Sequence, residues 1–215
     1  MAFRIVDFDM DGTIVNYKEG SYGSSWDATF HALGLSEECK KLLDYYLWEK
    51  ELYPEWFEKQ VTMLKGRSVD QVKSKILPPV YSDNAKEAFE ELKKMGLYRG
   101  IITSGVDIVA RYIEKDFILD FCECNELVYR SGLFTGMGIP NVDLWSKKDN
   151  LIKVCERFGV KTEDAVVVGD HENELDLFEI AGLSMAYKPK TEKVGKAADY
   201  IINDLREVPL IIRKF

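Results

Sequence analysis

The sequence predicts an α/β protein built on a doubly wound parallel sheet. Three short apolar runs, at residues 3–9, 97–103 and 165–170, have the length and composition of buried strands. Amphipathic segments between and after them end at glycines, as helices commonly do. These predicted helices span residues 84–95, 147–158 and 173–181. Alternation of strands and helices is typical of a parallel sheet that is covered by helices on both faces.

The region from residue 17 to residue 82 interrupts this alternation. It contains several helical segments and no convincing strand, so we expect an all-helical unit inserted into a core made of residues 1–16 and 83–215. Pro54 suits the first turn of a helix, and Pro78 with Pro79 would end the unit before the sheet resumes.

Aromatic residues are concentrated in this insert, which contains three of the four tryptophans. At helical spacing they are expected to form mainly the insert's own small core, while a minority lines a pocket facing the main domain. The residues concerned are Tyr45, Trp48, Tyr53, Trp56 and Phe57. Beyond the insert, residues 126–135 have the pattern of a β-hairpin that turns at Ser131 and Gly132.

Length, composition and charge exclude several classes of protein. The chain has 215 residues, 46% apolar and 31% charged, which suffices for one globular domain with a modest insertion. Its net charge of −8 disfavours binding to nucleic acid. No run approaches the roughly 18 apolar residues of a membrane span, and an acidic residue comes too early for a signal peptide. We therefore expect a soluble, cytoplasmic protein, and nothing in the sequence indicates its oligomeric state.

Each predicted strand ends in groups suited to phosphate or metal chemistry. The first run ends in Asp9 and is followed by Asp11, the second ends in Thr103 and Ser104, and the third ends in Asp170. In an open parallel sheet, ligands bind outside the carboxyl ends of the strands. The sequence therefore predicts that these side chains converge on one crevice.

The segment from Asp9 to Thr13 places two carboxylates on the same side of an extended chain, with Gly12 permitting a tight turn. Two like charges this close are costly unless they share a cation or a proton. The pair therefore indicates either a divalent metal site or a nucleophile beside an acid/base.

This pentapeptide resembles the signature of the haloacid dehalogenase superfamily, and three later segments resemble its other motifs in the same order. They are residues 101–105, Lys147, and residues 168–174. Within the superfamily the chain looks most like the phosphoserine-phosphatase group, whose helical cap of the C1 type corresponds in position to the predicted insert. The resemblance covers nearly the whole chain and implies a Rossmann-like core.

The resemblance implies a division of chemical roles. Asp9 would attack phosphorus and form an aspartyl phosphate, while Asp11 would protonate the leaving alcohol and then deprotonate water. Mg²⁺ would bind through Asp9, the backbone carbonyl of Asp11, and Asp170.

The same resemblance implies a phosphate-binding set. Ser104 and Gly105, with the amides that open the following helix, would hold phosphoryl oxygens together with Thr13. Lys147 would place a positive charge on the phosphoryl group, with the adjacent Lys148 as a rival.

Two departures from the family pattern affect the predicted function. Glu174 stands where the fourth motif has a second aspartate, and its longer side chain could still hold a metal-bound water. Gln60 stands where phosphoserine enzymes of the group have a cap arginine that clamps the substrate carboxylate, which argues against phosphoserine. We expect a Mg²⁺-dependent phosphatase for a small phosphorylated metabolite. The alternatives are a phosphotransferase or phosphomutase of the same fold, or a regulator that binds a phosphometabolite without turnover.

Overall fold

The computed structural model describes residues 3–17 and 23–215, which fold around one seven-stranded sheet. The strands are β1 (Ile5–Phe8), β2 (Tyr98–Val106), β3 (Phe121–Arg130), β4 (Leu133–Ile139), β5 (Ala165–Gly169), β6 (Leu183–Tyr187) and β7 (Tyr200–Ile202). Their order is β4-β3-β2-β1-β5-β6-β7, and every neighbouring pair is parallel except β3 and β4. The predicted α/β class is confirmed.

Ten α-helices accompany the sheet within the described residues. They are α1 (Ser25–Ala32), α2 (Ser36–Tyr46), α3 (Tyr53–Leu64), α4 (Val69–Ile76), α5 (Ala85–Lys94), α6 (Asp107–Phe117), α7 (Lys148–Phe158), α8 (Leu175–Phe178), α9 (Glu192–Ala197) and α10 (Glu207–Ile212). The predicted helices at 84–95 and 147–158 are α5 and α7. The third, at 173–181, is shorter than predicted, because a 3₁₀ turn over Glu172–Glu174 precedes the four residues of α8.

The register of the central strands aligns their carboxyl ends. Phe8 of β1 pairs with Ile101 of β2 on one side and with Val168 of β5 on the other. All four residues of β1 are buried, as expected for the middle of a parallel sheet covered on both faces. The residues that follow these pairs, including Asp9 and Asp170, therefore emerge at the same edge of the sheet.

Helices α1 to α4 lie between β1 and β2 in the chain, and we refer to them as the helical insert. Residues 18–22 of the predicted unit and residues 1–2 of the predicted core lie outside the described part. Pro54 occupies the first turn of α3, as predicted. The insert contacts the hairpin of β3 and β4 through three backbone hydrogen bonds. They run from Gly66 to Phe134, from Val69 to Gly132 and from Phe134 to Arg67.

The aromatic core of the insert differs in part from the prediction. Tyr53 and Trp56 pack with Tyr46 in a small buried cluster, whereas Phe57 belongs to the main core. Tyr45 and Trp48 are 64% and 61% exposed, so their placement in a core was wrong. Neighbouring residues of a helix point about 100° apart, and therefore Tyr46 faces inward while Tyr45 does not.

The hairpin predicted at residues 126–135 is confirmed. Strands β3 and β4 are antiparallel, with Arg130 opposite Leu133, and both extend beyond the predicted segment. None of the helices in the described ranges is long and apolar enough to cross a lipid bilayer.

Candidate active site

A cavity of about 220 Å³ opens at the carboxyl edge of the sheet, between the central strands and the helical insert. The sheet side contributes Asp9, Asp11, Thr103, Ser104 and Gly105, and the insert contributes residues that include Trp26, Asp27, Trp56 and Gln60. The predicted convergence of the ends of β1 and β2 is therefore found.

Asp9 and Lys147 form a buried ion pair on the sheet side of the cavity. The Nζ atom of Lys147 donates a hydrogen bond to Oδ1 of Asp9 at 2.8 Å, and it also contacts Glu174. Burial alone would lower the pKa of Lys147, but the two carboxylates outweigh it and raise the pKa above the ordinary value. Lys147 is therefore a permanent cation beside Asp9. Lys148, the rival residue, is exposed.

Asp11 is held by the start of the helical insert. Its Oδ2 accepts hydrogen bonds from the backbone and hydroxyl groups of Ser25, at 3.0 and 2.8 Å, and its Oδ1 accepts one from Tyr17 at 2.9 Å. Burial, together with the charge of Asp9, raises the pKa of Asp11 to about 6 despite these donors. A carboxyl group with such a pKa can both give and take a proton near neutral pH.

The end of β2 lines the cavity with Thr103, Ser104 and Gly105. The backbone amide of Gly105 donates to the hydroxyl of Thr103 at 3.0 Å, and the hydroxyl of Ser104 has no hydrogen-bond partner among the described residues. A β-carbon on Gly105 would lie 2.5 Å from the terminal methyl of Met10 and from the hydroxyl of Ser25, so a side chain here would displace these groups. Helix α6 begins directly afterwards and points its amide groups at the same edge.

Asp170 is a second buried carboxylate whose charge interacts with that of Asp9. Burial and then the charge of Asp9 raise the pKa of Asp170 to about 6. Its Oδ2 accepts from Lys190 at 2.9 Å, but its Oδ1 is buried without a partner in the described structure. An unpartnered buried carboxylate oxygen beside another carboxylate suits Mg²⁺, which prefers oxygen ligands and retains water. In the described ranges, no group of three or more acidic, His or Cys side chains could hold a metal. To complete the coordination of Mg²⁺, the carboxylates of Asp9 and Asp170 would therefore need the Asp11 carbonyl and water molecules.

Two predicted site residues occupy unexpected positions. Glu174 was expected near the metal, but one of its oxygens contacts Lys147 and the other is buried without a partner among the described residues. Its role at the metal stays a prediction. Thr13 was expected to bind phosphate, but the turn after β1 buries its hydroxyl completely and it does not line the cavity.

Several cavity residues were not predicted as site residues. Asn173 is buried, and its Oδ1 accepts a hydrogen bond from Nδ1 of His171 at 3.1 Å; both residues line the cavity. Lys190 also lines it and follows β6, a strand that the sequence analysis did not recognise. Since Lys190 stands just beyond the carboxyl end of a parallel strand, the rule applied to the other strands could have identified it.

Comparison with known proteins identifies the family to which this chain belongs. Residues 3–182 match the model of the haloacid dehalogenase-like hydrolases. The chain is 29% identical to a phosphoserine phosphatase from Methanocaldococcus jannaschii, over 95% of both chains. It is 27% identical to the phosphoserine phosphatase of Saccharomyces cerevisiae, over 94% of this chain and 64% of the relative.

Solved structures show the same similarity. A phosphoserine phosphatase bound to its substrate matches 98% of this chain and 99% of its own, with a TM-score of 0.82 and 28% identity. A structure described as a phospho-aspartyl intermediate analogue of phosphoserine phosphatase matches equally well. The ordered motifs, the convergent strand ends and the match over most of the chain agree, and the protein belongs to the haloacid dehalogenase-like hydrolase family.

Proposed function

We propose that the protein is a Mg²⁺-dependent phosphomonoesterase that hydrolyses a small phosphorylated metabolite through an aspartyl phosphate. The observation that supports this most directly is the ion pair of Asp9 and Lys147. Asp9 lines the same cavity as Asp11 and Ser104, at the carboxyl edge of the sheet. A binding protein would need a cation for the phosphate but no nucleophile paired with an acid/base.

In the first step, a carboxylate oxygen of Asp9 attacks phosphorus. The Oδ1 atom accepts from Lys147, whereas Oδ2 has no hydrogen-bond partner among the described residues and is available for attack. As the bond from phosphorus to the ester oxygen breaks, Asp11 gives its proton to the departing alcohol. The Ser104 hydroxyl and Lys147 stabilise the charge on the phosphoryl oxygens.

In the second step, Asp11 takes a proton from water as the water oxygen attacks phosphorus. The bond between phosphorus and Asp9 breaks, inorganic phosphate leaves, and the carboxylate of Asp9 is regenerated. A pKa of about 6 for Asp11 suits both halves of this cycle.

Mg²⁺ would be held by Asp9, Asp170 and the Asp11 carbonyl, where it would offset the negative charge of the phosphate and the carboxylates. We further propose that residues 17–82 act as a cap over a core of residues 1–16 and 83–215. The contacts from Ser25 to Asp11 support this, because the insert completes the environment of the acid/base only when it is closed.

The direct test is hydrolysis of an aryl phosphate with Mg²⁺, with a chelator, and by the Asp9→Asn variant. We expect turnover that the chelator abolishes and that Asp9→Asn lacks. Turnover unaffected by Asp9→Asn would exclude the covalent route, and no turnover on any phosphate ester would favour a binding protein.

A further inference from the structure

We propose that the substrate is the phosphate ester of an amino alcohol, that is, an ester whose leaving group carries an amine but no carboxylate. This inference rests on the proposed phosphatase function and concerns the half of the cavity formed by the helical insert. That half combines aromatic rings, one carboxylate and one neutral amide.

The charges on the cavity wall favour a cationic leaving group. Apart from Asp9 and Asp11 at the phosphoryl end, the charged wall residues in the described structure are Asp27, Lys190 and, when protonated, His171. Lys190 is paired with Asp170, and His171 is hydrogen-bonded to Asn173. Asp27 is therefore the charge available to a leaving group.

Asp27 can receive an ammonium group. It lies in the first turn of α1 and lines the cavity, and its carboxylate accepts hydrogen bonds from the amide of Gly23 at 2.9 Å and the thiol of Cys39 at 3.2 Å. Neither donor is charged, and no lysine, arginine or histidine of the described ranges forms an ion pair with it. A substrate carboxylate would meet this negative charge, whereas an ammonium group would neutralise it.

The aromatic residues present ring surfaces to the same space. The hydroxyl of Tyr53 donates to Val142 at 3.1 Å, and the indole nitrogen of Trp26 donates to the Ser104 carbonyl at 3.0 Å. These hydrogen bonds occupy the polar atoms of Tyr53 and Trp26, and both residues line the cavity together with Trp56. Ring faces in a water-poor pocket attract ammonium and alkylammonium groups.

Gln60 provides a neutral polar group on the same helix face. Tyr53, Trp56 and Gln60 are spaced at i, i+3 and i+7 on α3, so they form one stripe toward the cavity. Gln60 is 4% exposed, and its amide makes no hydrogen bond within the described ranges. Its oxygen can accept from an amine, but it lacks the charge needed to hold a carboxylate.

The size of the cavity restricts the leaving group to a few atoms. At about 220 Å³ it is smaller than the roughly 300 to 1,000 Å³ of pockets for drug-sized ligands. An ester of a short amino alcohol fits this limit, and phosphoserine differs from such an ester by a carboxylate.

The test compares kcat/KM for three esters of similar size: phosphoethanolamine, propyl phosphate and phosphoserine. Propyl phosphate replaces the amine by a methyl group, and phosphoserine adds the carboxylate. We expect kcat/KM for phosphoethanolamine to exceed that for each of the other esters by about tenfold, which is the effect of one desolvated contact to a cation.

Two variants and a control assign this preference to residues. Asp27→Asn keeps the shape and is expected to bring the ratio of phosphoethanolamine to propyl phosphate close to one. Gln60→Arg is expected to raise kcat/KM for phosphoserine relative to that for each of the other two esters. Asp44→Asn, which removes an exposed charge from the neighbouring helix α2, should leave all ratios unchanged.

The outcomes separate the two proposals. Suppose that aryl phosphate is hydrolysed but that kcat/KM for phosphoserine equals or exceeds that for phosphoethanolamine, or that Asp27→Asn leaves the ratio of phosphoethanolamine to propyl phosphate unchanged. The substrate inference is then wrong and the phosphatase function stands. If no ester, including the aryl phosphate, is hydrolysed, both proposals are wrong.

Discussion

Lys147 is buried between two carboxylates, and this explains why one lysine rather than its neighbour can serve the site. Lys147 is fully buried against Asp9 and Glu174, whereas Lys148 points to solvent and donates only its backbone amide, to Asp176. The sequence alone left both lysines open on chemical grounds, because adjacent residues at a helix start differ only in which way they face.

We predict that Lys147→Met reduces kcat by about 10²- to 10³-fold, as expected for loss of a group that stabilises the transition state. It should also destabilise the fold by about 3–5 kcal/mol, since it leaves two buried carboxylates without a cation. Steady-state kinetics and urea unfolding measure both effects. Lys148→Met is the matched control and should change neither; equal effects of the two variants would refute the assignment.

Asp11 gives a prediction for the dependence of activity on pH. Its pKa is raised to about 6, so the protonated form needed to release an alcohol is lost as pH rises through that value. An aryl leaving group needs less protonation than an alkyl one. We therefore expect the ratio of kcat/KM for an alkyl phosphate to that for an aryl phosphate to fall above about pH 6. Each kcat/KM is first divided by the fraction of that ester in its dianionic form, because an alkyl phosphate keeps its second proton to a higher pH than an aryl phosphate does. A flat corrected ratio between about pH 5 and about pH 8 would contradict the role of Asp11.

At the scale of elements, the junction of β2 and α6 meets the turn after β1 and the start of α1. Val106 donates its amide to the hydroxyl of Ser25 at 3.1 Å, and that hydroxyl donates to Asp11. Gly105 lies within this contact, where a side chain would displace Ser25 or Asp11. The junction of β2 and α6 therefore positions the start of the insert against Asp11.

We predict that Gly105→Ala lowers kcat/KM by more than about tenfold, because even a small displacement of reacting groups is costly. Gly96→Ala serves as the control. Gly96 has a φ of +75° at the end of α5, but a β-carbon there would contact nothing within 4 Å. It should cost about 1 kcal/mol of stability and leave kinetics unchanged. Full activity of Gly105→Ala would show that the close contact is unimportant.

The sequence predicted the parallel strands that supply the site, because short apolar runs identify buried strands. The acidic and hydroxyl residues at the ends of these runs can be read directly from the sequence. It did not predict that Ser25 and Tyr17 bind Asp11, since hydrogen bonds between distant segments leave no local pattern. It also did not predict that Trp48 lies outside the insert's core, with its ring 5.3 Å from that of Trp145, since this contact too joins distant segments.

At the scale of the whole molecule, Asp7 makes the stability of the fold depend on pH. Asp7 lies in the central strand with no exposed surface, and neither of its oxygens has a hydrogen-bond partner in the described structure. Burial raises its pKa well above the ordinary value, although Lys147 opposes this. The unfolded chain loses the proton near pH 4, whereas the folded protein keeps it, so stability decreases as pH rises from there toward the folded pKa.

We predict that Asp7→Asn removes this decrease and raises the free energy of unfolding at neutral pH by about 1–3 kcal/mol, since no charge or proton uptake remains to oppose folding. Urea unfolding as a function of pH measures it. Asp116→Asn is the control. We expect it to lower the free energy of unfolding at neutral pH, because Tyr81 and Lys86 stabilise the charged form of Asp116 and lower its pKa. A variant at position 7 that is less stable than the natural chain at neutral pH would contradict this account.

The central claim is that Asp9 becomes covalently phosphorylated, and rapid acid quenching followed by peptide mass spectrometry tests it most directly. The Asp11→Asn variant, incubated with aryl phosphate and Mg²⁺, should accumulate the intermediate, because it lacks the base for the second step while an aryl group still leaves. We predict one added phosphoryl group on the peptide that contains Asp9, and none in Asp9→Asn. Phosphatase turnover with no modified peptide, or with the phosphoryl group on another residue, would contradict the account.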